Sequence, residues 1–289
     1  MLDQAIREKL RDPAYLDLHL TAVMAIGRVG RVEWYDLHFL RRYEAAKLYL
    51  SQVRPDALGS FVRGFDVLLP PTDFRNLLVS DLLDASTREQ IRAAARAIPK
   101  EYVKDYEMRD FGRHIVHDFP LFVEIQRQLL PRISALVGID LEPGYNFFSL
   151  YGCTGRCAPH RDEPKSMFTL DYCIEQSEEW PIWLSKVVDW PTLETMRSWS
   201  PEAIKADPAL DFRSYALRPG EALLFNGSSQ WRYRDPIKPG GFCSLLFFHY
   251  YPAGCKALVT PRLWPQWFDI PELVPLCELF NEYGGDGLV

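Results

Sequence analysis

The pattern of apolar and polar positions changes character midway along the chain. Up to about residue 140, apolar residues recur near helical spacing. In VEWYDLHFLRRYEAAKLYLSQV, Trp34, Leu37, Leu40, Tyr43, Leu48 and Leu50 follow that spacing and predict a helix. STREQIRAAARAIP opens on Ser86 with Glu89 three residues later, the pattern of a capping box, and Pro99 closes the segment. FPLFVEIQRQLLPRISALVGI reads as an amphipathic helix with a kink or break at Pro131. His114 and His117 in GRHIVHDFP are three apart, which suits one helix face, and Pro120 limits that helix.

After Gly144 the apolar runs shorten. YNFFSLYG, MFTLDYCIEQ, WPIWLSKVV, RSYALRPGEALLFNG and GGFCSLLFFHYYP are rich in β-branched and aromatic residues, and Gly, Pro and Ser separate them. Short, evenly spaced strands argue for an antiparallel barrel or a double-sheet, cupin-like jelly roll. The tail, PQWFDIPELVPLCELFNEYG, returns to helical spacing. The expected class is therefore α+β, with a helical N-terminal layer packed on one sheet. Residues 1–140 are expected to form a mainly helical region packed on the barrel, 141–256 the jelly-roll core with the metal site and 257–289 a helical tail, together one compact unit.

Composition narrows the function. Of 289 residues, 47% are hydrophobic, enough for a sizeable core. The formal charge of −6 comes without any Lys/Arg run, which argues against nucleic acid or an anionic membrane as partner. The charged start lacks a secretory apolar core, and no apolar run approaches the ~20 residues that span a bilayer. A soluble cytoplasmic protein is expected. Six cysteines in a chain this long do not suggest a disulfide framework, and Cys153 with Cys157 lacks the second pair a zinc knuckle needs. No phosphate-binding glycine loop, H-E-x-x-H, calcium loop or G-x-S-x-G elbow is present.

The candidate chemistry lies in YGCTGRCAPHRDEP. On a strand, positions i and i+2 point to one face, so His160 and Asp162 would converge. An imidazole, a carboxylate and one distant ligand make the facial arrangement of mononuclear non-haem iron. Alone, H-x-D is a weak signal. Its surroundings add order: Tyr151 nine residues before His160, then LRPGEALLFNG, then SSQWRYRDPI, then GGFCSLLFFHYYP. As an ordered set over about residues 143 to 252, this succession resembles the iron(II)- and 2-oxoglutarate-dependent oxygenases, most nearly the prolyl-4-hydroxylase-like branch.

That resemblance implies a double-stranded β-helix with iron(II) at its mouth. It also implies 2-oxoglutarate as co-substrate, molecular oxygen, and oxidation of a C–H bond of a small molecule, amino acid or peptide. It carries His160 and Asp162 over as metal ligands. The family's distal histidine is replaced: Gln230 aligns best with it, and an alternative register puts Arg232 there. The family's basic residue is replaced by Phe242, two before Ser244. Four resolutions stand open. Gln230 supplies a carbonyl oxygen, His249 supplies an imidazole, water fills the gap, or the site holds no iron.

Arg232 and Arg234 would face one way on a strand and clamp a carboxylate, either of 2-oxoglutarate or of an acidic substrate. The plain alternative is a surface pair bonded to Asp235 or Glu221. Ser244 would bond the same carboxylate, and Tyr151 or Tyr145 would offer a phenol to the pocket, unless each is ordinary core. Two functions follow: a dioxygenase, or a catalytically silent jelly roll that binds a carboxylate-bearing ligand. A cupin-like metal enzyme without an oxo-acid co-substrate is a third.

Overall fold

Ten strands form two antiparallel sheets in this computed structural model, which describes residues 3–30 and 38–283. In chain order they are β1 Leu77–Val79, β2 Arg113–His117, β3 Leu141–Tyr151, β4 Cys157–His160 and β5 Phe168–Gln176, then β6 Ile182–Leu184, β7 Arg213–Tyr215, β8 Ala222–Asn226, β9 Arg232–Arg234 and β10 Cys243–Pro252. The six-stranded sheet runs β1-β8-β5-β10-β3-β2, and the four-stranded sheet runs β4-β9-β6-β7.

Alternation along the strands explains two cores. Phe147 and Tyr151 of β3, Leu245 and Phe247 of β10, and Leu223 and Phe225 of β8 meet Ile182 and Leu184 of β6 in one cluster between the sheets. The intervening residues, Phe148, Leu246, Phe248 and Leu224, turn to the other face. There they pack under the helices Ala85–Ala97 and Pro120–Val137, through Ile91, Phe122, Ile125 and Ile133. Burying such side chains contributes roughly 1.5–3 kcal/mol each.

The contacts divide the chain into two compact units. One comprises Pro70–Asp189 and Trp199–Ala253; the other comprises Met1–Leu69, Trp190–Ser198 and Gly254–Val289. The second is helical and centred on aromatic rings. Trp264 is fully buried, with Phe39, Phe61 and Phe65 edge-on to it at 5.8, 5.5 and 5.4 Å. No helix among the described residues is long and apolar enough to cross a membrane.

Other expectations shift in detail. The mainly helical stretch before residue 140 also holds β1 and β2, which complete the large sheet. His114 and His117 therefore sit on a strand, three apart on opposite faces. The helix Ala85–Ala97 is capped by Asp84, whose carboxylate accepts from the Thr87 N–H at 2.7 Å, and Ser86 lies inside it. Pro131 is carried within one helix, Pro120–Val137. The predicted helix from residue 34 is seen as His38–Val53; Trp34 and Leu37 lie outside the described residues.

Candidate functional site

His160 ends β4, and its backbone partner across the sheet is Arg232, the first residue of β9. Asp162 follows after one residue. Its N–H donates to the Gly227 carbonyl at 2.8 Å. Gly227 has to be glycine: an added Cβ would fall 2.7 Å from Asp162 Oδ2 and 2.3 Å from the Ser166 carbonyl oxygen. The H-x-D spacing thus does bring imidazole and carboxylate together, with Nε2 and Oδ1 at 4.0 Å.

A guanidinium lies on that pair. Arg232 Nη2 donates to Asp162 Oδ1 at 2.6 Å, and Nη1 donates to Oδ2. Arg232 Nε donates to His160 Nε2 at 3.1 Å. His160 Nδ1 lies 3.0 Å from the Ala158 carbonyl oxygen, which accepts only if Nδ1 carries the proton. The Nε2 lone pair is then the acceptor for Arg232. Burial and the Arg232 charge hold the His160 pKa well below its ordinary value, so the ring is neutral. Burial pushes the Asp162 carboxyl up, against the pull of the guanidinium on it. A guanidinium keeps its proton in proteins, so Arg232 brings a positive charge to the Asp162 carboxyl.

These residues do not fit iron. Both Asp162 oxygens and the His160 lone pair already accept from one cation. A guanidinium has no lone pair to give a metal. Among the described residues, no group of three or more His, Cys, Asp or Glu is arranged to hold a metal ion. Arg232 supplies the positive charge the carboxylate needs, so the donor set is closed.

The other expected residues are engaged elsewhere. Gln230 does not turn its carbonyl to a metal: Oε1 accepts from the Asn226 N–H at 2.8 Å, and Nε2 donates to the Ser185 carbonyl at 2.7 Å. It lines a polar cleft of about 470 Å³ with Arg75, Lys186 and Arg213. His249 faces the space between the sheets, its ring parallel to Phe247 and 4.3 Å from Tyr145. Its Nδ1 meets Thr169 Oγ1 at 3.0 Å, and that hydroxyl lies 3.2 Å from Asp162 Oδ2. The buried Nε2 has no partner.

Arg232 and Arg234 are not open carboxylate clamps, nor are they a surface pair. Arg234 Nη2 donates to Asp171 Oδ2 at 2.6 Å and Nη1 to the Trp180 carbonyl, all of them buried. Ser244 alternates with Cys243 and Leu245, which belong to the inter-sheet core, and so points away from it. The Tyr151 phenol accepts from Arg113 Nη1 at 2.6 Å, and burial pushes its pKa up to about 12.

No protein-family model and no curated protein matches the chain. Several solved structures are similar to it. HygX from Streptomyces hygroscopicus, with nickel and 2-oxoglutarate bound, is 13% identical, with a TM-score of 0.49 over 67% of this chain and 86% of that one. A Pseudomonas putida prolyl-4-hydroxylase is 14% identical, with a TM-score of 0.43 over 62% of this chain and 93% of its own. EctD from S. alaskensis, with 2-oxoglutarate and 5-hydroxyectoine, is 13% identical, with a TM-score of 0.44 over 69% and 76%.

Three groups at the site escaped the sequence reading. Thr169 joins Asp162 to His249, Asp171 neutralises Arg234, and Arg113 bonds Tyr151 and Glu107. The signal for Asp171 was present: a lone acid in the apolar run MFTLDYCI, where an unpaired carboxylate would be too costly.

Proposed function

We propose that this chain is a metal-free binding protein for a small carboxylate-bearing molecule, built on a jelly roll of the oxygenase type and silent towards oxygen. The observation that carries this reading is Arg232, which forks Asp162 and donates to His160 Nε2 where an oxygenase would need a cation. The strand order supports the scaffold. Counted from β3, the first, eighth, third and sixth strands neighbour one another, as do the second, seventh, fourth and fifth. Chain halves that alternate between two sheets in this way make a double-stranded β-helix. Six free thiols support a reducing compartment, the cytoplasm.

The oxygenase reading keeps one foothold, the unpartnered Nε2 of buried His249 behind Thr169. It would require Arg232 to leave a buried carboxylate and a further donor to approach. The test is anaerobic loading with iron(II) and 2-oxoglutarate, followed by metal analysis, an absorption spectrum, and a succinate assay in air. The binding reading expects no retained iron, no charge-transfer band and no succinate. One iron per chain with the band would favour the oxygenase.

A further inference from the structure

Arg161 lies between the two residues of the H-x-D pair and shares none of their contacts. It is 3% exposed. Nη1 donates to the Asp189 main-chain carbonyl at 3.0 Å. Nε and Nη2, the edge that forms a two-point fork, are buried and have no partner. Among the described residues no carboxylate bonds it, and the Asp189 carboxylate acts on it only through its field. Burial without a bonded counter-charge pushes this guanidinium down to about 9.

Two indoles enclose it. The guanidinium carbon is 5.6 Å from the centre of Trp199 and 5.3 Å from that of Trp231. The two rings meet edge to face at 4.6 Å and 85°. Trp231 is buried, whereas Trp199 is half-buried, on the short link between the helices Leu193–Arg197 and Pro201–Ala206. All of these residues except that first helix lie in the two-sheet unit.

The contrast with its neighbours is informative. Arg232 and Arg234 are as deeply placed, and each holds a carboxylate of this chain. Arg161 alone of the three holds only a carbonyl. A buried cation with an open fork is costly unless an anion closes it. Planar carboxylates match the two parallel N–H groups, and indole walls suit a flat or apolar remainder.

We infer that Arg161, walled by Trp199 and Trp231, is the anchor for the carboxylate of a small organic acid with a flat apolar body. Trp199 is the side chain that turns aside to admit it. The inference rests on the binding reading above and names the ligand class and the site of that reading.

The probe is benzoate, with benzamide as its uncharged counterpart, titrated into the intact chain and read by tryptophan fluorescence and calorimetry. Benzoate is expected to give a saturable change and benzamide none. Arg161→Lys keeps the charge and loses the fork, so its affinity should fall at least tenfold; Arg161→Met should abolish binding. Circular dichroism checks that each variant is folded, and the lysine variant decides if the methionine one is not. No saturable response to benzoate, or equal affinity in wild type and Arg161→Lys, overturns the inference. Iron uptake by the wild type would instead overturn the metal-free reading, whatever benzoate does.

Discussion

Replacing Arg232 by Met removes the cation from Asp162 and leaves similar bulk. The Asp162 side chain is 9% exposed, and its remaining side-chain partner is the Thr169 hydroxyl at 3.2 Å. Breaking a buried pair from one side costs about 3–5 kcal/mol, because the other charge is left uncompensated. A domain of ordinary stability holds only about 5–15 kcal/mol in all, so the loss is a large fraction. Removing both charges, as Asp162→Asn with Arg232→Met, should restore much of it, giving a coupling of at least about 2 kcal/mol in a double-mutant cycle. Urea unfolding of the four proteins measures it. A loss under about 1 kcal/mol in Arg232→Met, with no coupling, would show that the guanidinium does not do the cation's work.

Further outcomes follow from the same contacts. Arg232→His should bind cobalt(II) with a visible d–d spectrum where the wild type does not. Arg232 Nε stands 3.1 Å from His160 Nε2, close to the roughly 3 Å between adjacent donors on an ion about 2.1 Å from each. Arg234→Met should cost about 3–5 kcal/mol in the same unfolding assay, since Asp171 is fully buried, and adding Asp171→Leu should recover part of it. His249 is held well below its ordinary pKa by burial and by the Arg232 charge. Below pH ~6.5 the unfolded chain therefore binds a proton that the folded one refuses, and stability falls as pH drops. His249→Phe should lessen the loss between pH 6.5 and 5.0 by about 1.6 kcal/mol, read from unfolding at both pH values. An unchanged slope would contradict that burial.

The legible parts of this molecule are those encoded locally. The alternation in YNFFSLYG and CSLLFFHYY fixes β3 and β10 and their inward residues, and the two-residue offset of His160 and Asp162 fixes their convergence. What the sequence hides is pairing at a distance. Arg232 and Asp162 are 70 positions apart, and Arg234 and Asp171 are 63 apart. Read along the chain, both arginines look like open clamps. Only the antiparallel register of β4 against β9 turns one of them onto the H-x-D pair. β1 and β2 were hidden for a similar reason. Each is short, and each is a strand only because a sheet edge accepts it.

Arg161 illustrates the converse. In the string HRD it is the residue between two candidate ligands. Its open fork is visible only once the burial and the two indoles are seen together.

The proposed function stands on Arg232 in the charge position of a metal. Iron(II) titrated anaerobically into the wild-type chain, with bound metal counted after desalting, tests it most directly. Iron near zero per chain is expected at neutral pH, with or without 2-oxoglutarate. Stoichiometric iron that is lost in His160→Ala would contradict it.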